Sequence, residues 1–232
     1  MSLTKGQLEQ IKKQLEVSRT EKYEVDIRLT EGHVLRKFGV YPDVLAPEKV
    51  TALHLARWLF FNNGLYRGKT AIDMGSGTGI QGIVMKLYGA KQVIFSDVSL
   101  PARINSSTNL GKYVPKSRHK IYEGDLFENI EDKVDVIVFN HPFFQEKPAD
   151  YVPVSMAMLD DGKLIHRFLD HAKDHLLENG VIVMPYFHPA GPTNDPGKQA
   201  PKHDYTVNER FRGDIDTELH KGLASIYELR LK

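Results

Sequence analysis

Apolar and polar residues alternate with period two in five short runs of the chain. The runs are 69–74, 91–97, 119–124, 134–139 and 180–186, and each is rich in β-branched side chains. Mainly helical or loop-like segments separate them. Short strands arranged in this way are typical of a doubly wound, largely parallel sheet rather than a β-sandwich. The pattern therefore predicts an α/β fold with this sheet at its centre.

The N-terminal part has a different pattern. Thr4 and Gln7 have the spacing of a capping box, and apolar residues then recur at helical intervals, so a helix should begin here. Residues 23–29 and 34–40 alternate on either side of the sequence TEGH, which predicts a β-hairpin.

A second helix is predicted from about Glu48 to Phe61, because apolar residues recur on one face and Asn and Gly follow. The alternating runs begin shortly after it. We therefore divide the chain into an N-terminal helix and hairpin extension, residues 1–45, and a sheet-containing domain, residues 46–232.

The C-terminal part adds two expectations. Residues 188–204 are rich in Pro, Gly and Asp, which predicts a surface loop. The alternating residues 224–232 should form a last strand at the edge of the sheet.

Composition excludes several classes of protein. Among 232 residues, 41% are hydrophobic and 26% charged, and no apolar run approaches the length of a membrane span. There is no cysteine, which excludes disulfides and thiol nucleophiles, and the N-terminus has no secretory signal, so we expect a cytoplasmic protein. The net charge is +1 and neither end of the chain is basic, which disfavours a nucleic-acid partner.

The first strand of the sheet runs into the sequence DMGSGTG, residues 73–79. Glycines at such a turn let the backbone bend sharply and let a nucleotide-like ligand approach the main chain. Gly77, Gly79 and Gly82 also satisfy the dinucleotide pattern G-x-G-x-x-G, so an NAD-dependent oxidoreductase is one alternative. However, the carboxylate of Asp73 beside this loop suits a ligand with an ammonium or sulfonium group better than a pyrophosphate.

The same loop resembles the first motif of class I S-adenosylmethionine-dependent methyltransferases. The resemblance implies that S-adenosylmethionine is the cofactor and that Asp97, at the end of the second alternating run, holds its ribose. Asp125 matches the position that contacts the adenine ring in such enzymes. The cofactor-binding residues implied are Asp73, Gly75, Ser76, Gly77, Gly79, Asp97, Asp125 and Asn140.

The fourth run ends in the sequence NHPF, residues 140–143, which resembles the Asn-Pro-Pro-Tyr/Phe motif of methyltransferases that modify planar NH2 groups. Ligands of open α/β sheets bind beyond the carboxyl ends of the strands, where this motif lies. The resemblance implies that the Asn140 side chain and the His141 carbonyl accept the two NH2 hydrogens. Pro142 would fix the carbonyl, and Phe143 would stack on the planar group.

Over residues 40–187 the chain resembles the HemK/PrmC-like "small" methyltransferases most closely. The resemblance implies a Rossmann-like sheet of seven strands, mostly parallel with an antiparallel C-terminal strand. It also implies an enzyme that methylates a planar nitrogen, either of a protein glutamine side chain or of a small molecule. Three alternatives remain open: methylation of an exocyclic amine of an RNA or DNA base, the oxidoreductase, and a non-catalytic binding subunit with the same fold.

Ten histidines raise the question of a metal site, and His171 and His175 are spaced to share one face of a helix. No carboxylate accompanies them as in H-E-x-x-H, and both border the apolar face. We therefore expect no metal.

Overall fold

A computed structural model describes residues 4–18, 21–115, 119–147 and 153–232. The predicted N-terminal helix is confirmed as α1, Lys5–Ser18. Its capping box is present, because the Thr4 amide donates to Gln7 Oε1 at 2.8 Å and the Gln7 amide donates to Thr4 Oγ1 at 3.3 Å. The hairpin is also confirmed, with antiparallel strands β1, Tyr23–Arg28, and β2, Val34–Val40.

Helices and strands then alternate as the sequence predicts, and the first four alternating runs form strands. The elements are α2 Thr51–Phe61, β3 Thr70–Met74, α3 Ile80–Leu87, β4 Gln92–Asp97, α4 Leu100–Tyr113, β5 His119–Glu123 and β6 Val134–Phe139.

The C-terminal part contains more regular structure than the sequence indicates. Its elements are β7 Phe144–Gln145, β8 Leu159–Asp160, α5 Leu164–His175, β9 Leu176–Phe187, α6 Pro196–Gln199, β10 Tyr205–Asp216 and β11 Lys221–Leu231. β9 includes the fifth alternating run.

Seven strands form the central sheet in the order β10-β11-β9-β6-β3-β4-β5. The five strands from β9 to β5 are parallel, and β11 is antiparallel to both of its neighbours. The predicted fold class is thus confirmed. The prediction of a closing edge strand is wrong, because β10 pairs with the outer side of β11 and itself forms the edge.

Alternate residues of the inner strands fill two hydrophobic clusters on opposite faces of the sheet. Ile72, Ile94 and Ile137 belong to the cluster that includes α5. Ala71 and Val93 belong to the cluster that includes α2, α3 and the β1–β2 hairpin. Burial on both faces leaves the carboxyl ends of the strands as the place where polar groups can meet a ligand.

Residues 188–204 are not the exposed loop that their composition predicts. They form short helical turns, and Asn194 is fully buried. The Asn194 side chain donates to the carbonyls of Phe143 and Asp160, both at 3.3 Å. Because these internal hydrogen bonds use the amide nitrogen of a buried side chain, the segment can pack against the sheet domain instead of remaining in water.

The N-terminal elements are tied to the sheet domain by hydrogen bonds. Asn105 and Asn109 of α4 both donate to the Gly39 carbonyl at 2.9 Å. Gln7 of α1 donates to the carbonyl of Pro189 at 2.8 Å. The boundary between residues 45 and 46 remains a prediction. None of the described helices combines the length and apolar character needed to cross a bilayer.

Candidate active site

The loop between β3 and α3 has a backbone that requires glycine. Gly75, Gly77 and Gly79 have φ values of +58°, +54° and +81°, in the left-handed region that side chains disfavour. A Cβ added to Gly75 would also lie 3.2 Å from the Phe139 ring. The loop therefore presents bare main chain to the space beyond the strand ends.

Asp73 lies behind this loop. Its side chain is buried, and its Oδ2 accepts a hydrogen bond from the Gly82 amide in α3 at 2.8 Å. Burial raises the pKa of the Asp73 carboxyl well above its usual value. A Cβ added to Gly82 would lie 2.1 Å from the Phe95 ring, so this glycine allows α3 to pack on β4. The third glycine of the dinucleotide pattern is thus required by packing alone.

An open cleft of about 1020 Å³, its mouth included, lies beyond the carboxyl ends of β3, β4 and β6. Predicted site residues that line it are Gly75, Ser76, Gly77, Asp97, Asp125, Asn140 and Pro142. Asp73, Gly79, His141 and Phe143 do not line it. Asp43, Val44 and Leu45 contribute to the wall although motif reasoning did not single them out.

Asp97 holds the glycine loop against the end of β4. Its Oδ2 accepts from the Gly77 amide at 2.9 Å, and its Oδ1 accepts from the Ser99 amide at 2.8 Å. Burial raises the pKa of this carboxyl, while the two amides oppose that shift. Each carboxylate oxygen has a second lone pair, so Asp97 can accept further hydrogen bonds from ligand hydroxyls.

Asp125 is held by a residue that the sequence motifs did not indicate. Arg167 of α5 contacts both carboxylate oxygens of Asp125 through Nη2, at 2.7 and 2.6 Å. Both side chains are about half exposed, so the pair orients Asp125 more than it stabilises the fold. No local sequence signal links the two residues, which are 42 positions apart.

Asn140 follows β6 and lines the cleft, and its side-chain oxygen has no hydrogen-bond partner among the described residues. Oδ1 is buried and accepts no hydrogen bond from the described residues. Buried polar atoms without a partner are rare in native proteins, which makes this oxygen a candidate for a ligand contact.

The side chain of His141 is buried and points away from the cleft. Its Nε2 lies 2.8 Å from the carbonyl oxygen of Asn194, which can only accept, so Nε2 carries the hydrogen. Burial lowers the pKa of His141 to about 4, and the imidazole is therefore neutral at pH 7.

Phe143 packs inside the protein rather than along the cleft. Its ring lies edge-on to His141 at 5.2 Å and to Tyr186 at 5.6 Å between ring centroids. Phe143 also lines a smaller cavity next to the cleft, which we call the side chamber. The side chamber is lined by Leu45, Thr51, Asn140, His141, Phe143, Phe144, Ala157, Met158 and His220. Leu45, Asn140 and Ala157 line both cavities.

The cleft residues fit S-adenosylmethionine. Gly77 leaves room for a ligand where a Cβ would stand, and Asp97 offers acceptors suited to ribose hydroxyls. Ser76 Oγ is buried in the wall and has no hydrogen-bond partner among the described residues. Glycines, Asp97 and this hydroxyl would together hold the cofactor, with Asn140 beside the start of the glycine loop, because Met74 pairs with Phe139.

Comparison with known families places the same residues in a recognised domain. The family model described as methyltransferase small domain matches residues 55–189. A Methanocaldococcus jannaschii protein provisionally named a protein N5-glutamine methyltransferase is 28% identical over 151 residues, covering 63% of this chain and 73% of that protein. The release factor glutamine methyltransferase of Borreliella burgdorferi is 27% identical over 125 residues, but the match covers 50% of this chain and only 44% of that enzyme.

A solved structure has the same fold at lower sequence identity. The T. thermophilus 16S rRNA N2 G1207 methyltransferase, in complex with AdoMet and guanosine, superposes with a TM-score of 0.63 at 17% identity. The superposition covers 92% of this chain and 51% of that chain. At this identity the likeness concerns the fold.

Proposed function

The chain belongs to the methyltransferase small domain family and is an S-adenosylmethionine-dependent methyltransferase, and we propose that it methylates the amide nitrogen of a protein glutamine side chain. The observation that carries this proposal is the buried Asn140 Oδ1 without a hydrogen-bond partner among the described residues. We expect this oxygen to accept a hydrogen bond from the planar NH2 group of the acceptor.

When bound, S-adenosylmethionine supplies an electrophilic methyl group on a sulfonium. The protein's own task is to orient a weak nucleophile, because the nitrogen lone pair of an amide is delocalised. Asn140 Oδ1 accepts one NH2 hydrogen, and the carbonyl of His141 accepts the other. Two acceptors fix the plane of the group and stabilise the positive charge that develops on nitrogen.

Pro142 and the buried His141 side chain fix the second acceptor. A residue before proline is restricted to extended conformations, which limits the direction of the His141 carbonyl. The hydrogen bond from His141 to Asn194 holds the same residue from its side chain. In the family motif, the position of His141 is also a proline. Here the buried side-chain hydrogen bond of His141 takes over the restriction that the proline ring would impose.

Two relatives with glutamine methyltransferase names support the choice of an amide. The alternative acceptor is an exocyclic base amine, which the T. thermophilus neighbour's name brings into consideration. Its superposition is a likeness of fold, and the net charge of +1 gives no support to a large polyanionic substrate.

The test is transfer of labelled methyl groups from S-adenosylmethionine into a cell extract. Acid hydrolysis of a methylated glutamine amide releases methylamine, whereas methylated bases are recovered as nucleosides after nuclease digestion. We expect protein-bound label that is released as methylamine. Label confined to nucleosides would overturn the proposal.

Asn140→Ala provides the matched variant for this assay. Loss of one preorganised acceptor should reduce turnover by about 10²- to 10³-fold. S-adenosylhomocysteine binding, measured by calorimetry, should change little because the cofactor contacts expected of the glycine loop and Asp97 remain. Unchanged turnover would remove Asn140 from the mechanism.

A further inference from the structure

We propose that the side chamber binds the carbonyl oxygen of the acceptor amide and that the Thr51 hydroxyl donates a hydrogen bond to it. This inference rests on the proposed function, because it concerns the group bonded to the same carbon as the methylated nitrogen. It assigns a specificity-determining role to a residue outside both sequence motifs.

Thr51 is the first residue of α2, and its side chain has an unused polar atom. The residue is 2% exposed, it lines the side chamber, and its Oγ1 has no hydrogen-bond partner within the described part of the chain. A hydroxyl can donate one hydrogen bond, so a ligand acceptor in the chamber would satisfy it.

The position of Thr51 is fixed from the other side by His220. The Thr51 amide donates to His220 Nδ1 at 3.3 Å, and the His220 ring stacks on Phe187 at 4.4 Å between centroids, 9° from parallel. Nδ1 therefore acts as an acceptor, which requires a neutral ring. This support holds the first turn of α2, and with it the Thr51 side chain, at the chamber wall.

Asn140 lies between the chamber and the cleft, because it lines both, and its Oδ1 is buried without a partner among the described residues. A carboxamide has its nitrogen and oxygen on one carbon. Its NH2 group can therefore meet Asn140 while its oxygen enters the chamber and accepts from Thr51. The Asn140 oxygen can accept a hydrogen bond and the Thr51 hydroxyl can donate one. The two atoms thus match the NH2 group and the carbonyl oxygen of one amide.

The size of the chamber selects for such a small group. It has room for about one water molecule, which is also the space that a carbonyl oxygen needs. The rings of Phe143, Phe144 and His220 lie around it, and a purine ring does not fit between them. An amine without a neighbouring oxygen would leave the Thr51 hydroxyl unsatisfied, so amides are favoured over lysine-type amines.

Three variants test the inference: Thr51→Val removes the hydroxyl at nearly constant shape, Thr51→Ser retains it, and Thr206→Val is a matched exposed control on β10. Each variant is assayed with two methyl acceptors, an acetylated Gly-Gln-Gly peptide amide and the protein fraction of the extract. The label transferred is counted as released methylamine. Thr51→Val should lower kcat/KM for the peptide by about 10- to 100-fold, as expected for one lost hydrogen bond in a buried site. Thr51→Ser should restore most of it.

The other readouts separate substrate recognition from folding and from the proposed function. S-adenosylhomocysteine affinity and Tm should be nearly the same in wild type, Thr51→Val and Thr206→Val. Wild-type kcat/KM retained by Thr51→Val on glutamine would overturn the role of Thr51 and leave the amide function standing. Absence of wild-type transfer to both peptide and extract protein, with S-adenosylhomocysteine bound, would overturn both. If the chamber holds only an ordered water, kcat/KM for the peptide should be equal in all three variants, which would also overturn the inference.

Discussion

The Nε2 atom of His141 donates a hydrogen bond of 2.8 Å to the carbonyl oxygen of Asn194, which lies 53 residues further along the chain. The bond joins the NHPF motif to the packed segment 188–203, which follows β9. It is buried, and each partner is neutral, so it defines the position of the motif rather than its charge. The wall of the candidate acceptor site consequently depends on a segment that carries no recognisable motif.

His141→Ala should therefore destabilise the protein. The change leaves the Asn194 carbonyl buried without its donor and opens space next to Phe143 and Tyr186, which should cost about 1–3 kcal/mol of unfolding free energy. Urea denaturation measures it, with the exposed His171→Ala as the control. Equal midpoints for the two variants would mean that the bond contributes nothing to stability.

Acid should destabilise the fold through His220. Burial lowers the pKa of His220 to about 3, whereas an unfolded histidine titrates near 6.5. Between these values the unfolded chain binds a proton that the folded chain does not, so the unfolding free energy decreases as the pH falls from about 6.5. Over that range one such histidine contributes about 1.4 kcal/mol per pH unit.

The difference between wild type and His220→Gln isolates this contribution, because Gln can still accept from the Thr51 amide. We expect the stability advantage of wild type to shrink by roughly 1.4 kcal/mol per pH unit between about pH 6 and pH 4.5. Denaturation curves at a series of pH values measure it. A constant difference would show that His220 titrates normally in the folded protein.

Gly82→Ala should be severely destabilising although Gly82 does not line the cleft. The added Cβ would lie 2.1 Å from the Phe95 ring, so α3 would have to move away from β4, at a cost of about 1–3 kcal/mol or more. Gly111→Ala in α4 is the control, since no atom of the described residues lies within 4 Å of its Cβ position and alanine favours helix. Thermal unfolding should give a lower Tm for the first variant and an equal or higher Tm for the second.

Asp97→Ala should weaken cofactor binding. It removes the acceptor for the Gly77 and Ser99 amides and the group expected to hold the ribose, so S-adenosylhomocysteine affinity should fall by about 10- to 100-fold. Calorimetry compares it with Asp214→Asn, an exposed change on β10. Equal affinities would argue against a role for Asp97 in binding.

The alternating pattern predicted the five parallel strands because four of them bury most of their residues and β5 is half-buried. It did not reveal β10, in which Asn, Glu, Arg and Asp alternate irregularly at the exposed edge of the sheet. Without β10, the sequence placed β11 at the edge. Composition also misrepresented residues 188–204, because Pro and Gly counts do not show whether carbonyls such as that of Asn194 find partners inside the protein.

The two motifs indicated the strand ends that surround the cleft, since strand termini and glycine turns are local features. The sequence motifs did not indicate Arg167, Thr51 and His220, because the contacts of these residues are not local in sequence. Thr51 and His220 line the side chamber and Arg167 contacts Asp125, each from an element distant in sequence and with an unremarkable local context. Contacts of this kind depend on how helices pack on the sheet, which no short pattern encodes.

Among the described residues, the cleft and the side chamber share only Leu45, Asn140 and Ala157 in their linings. Thr51, Met158 and Phe144 thus belong to the chamber alone, while the glycine loop and Asp97 belong to the cleft alone. From the proposed role of the chamber, we expect substitutions in the first group to alter which nitrogen is accepted while the cofactor stays bound. Because the two groups of residues are separate, directed evolution could vary the chamber residues and screen libraries of acceptors while the methyl donor stays the same.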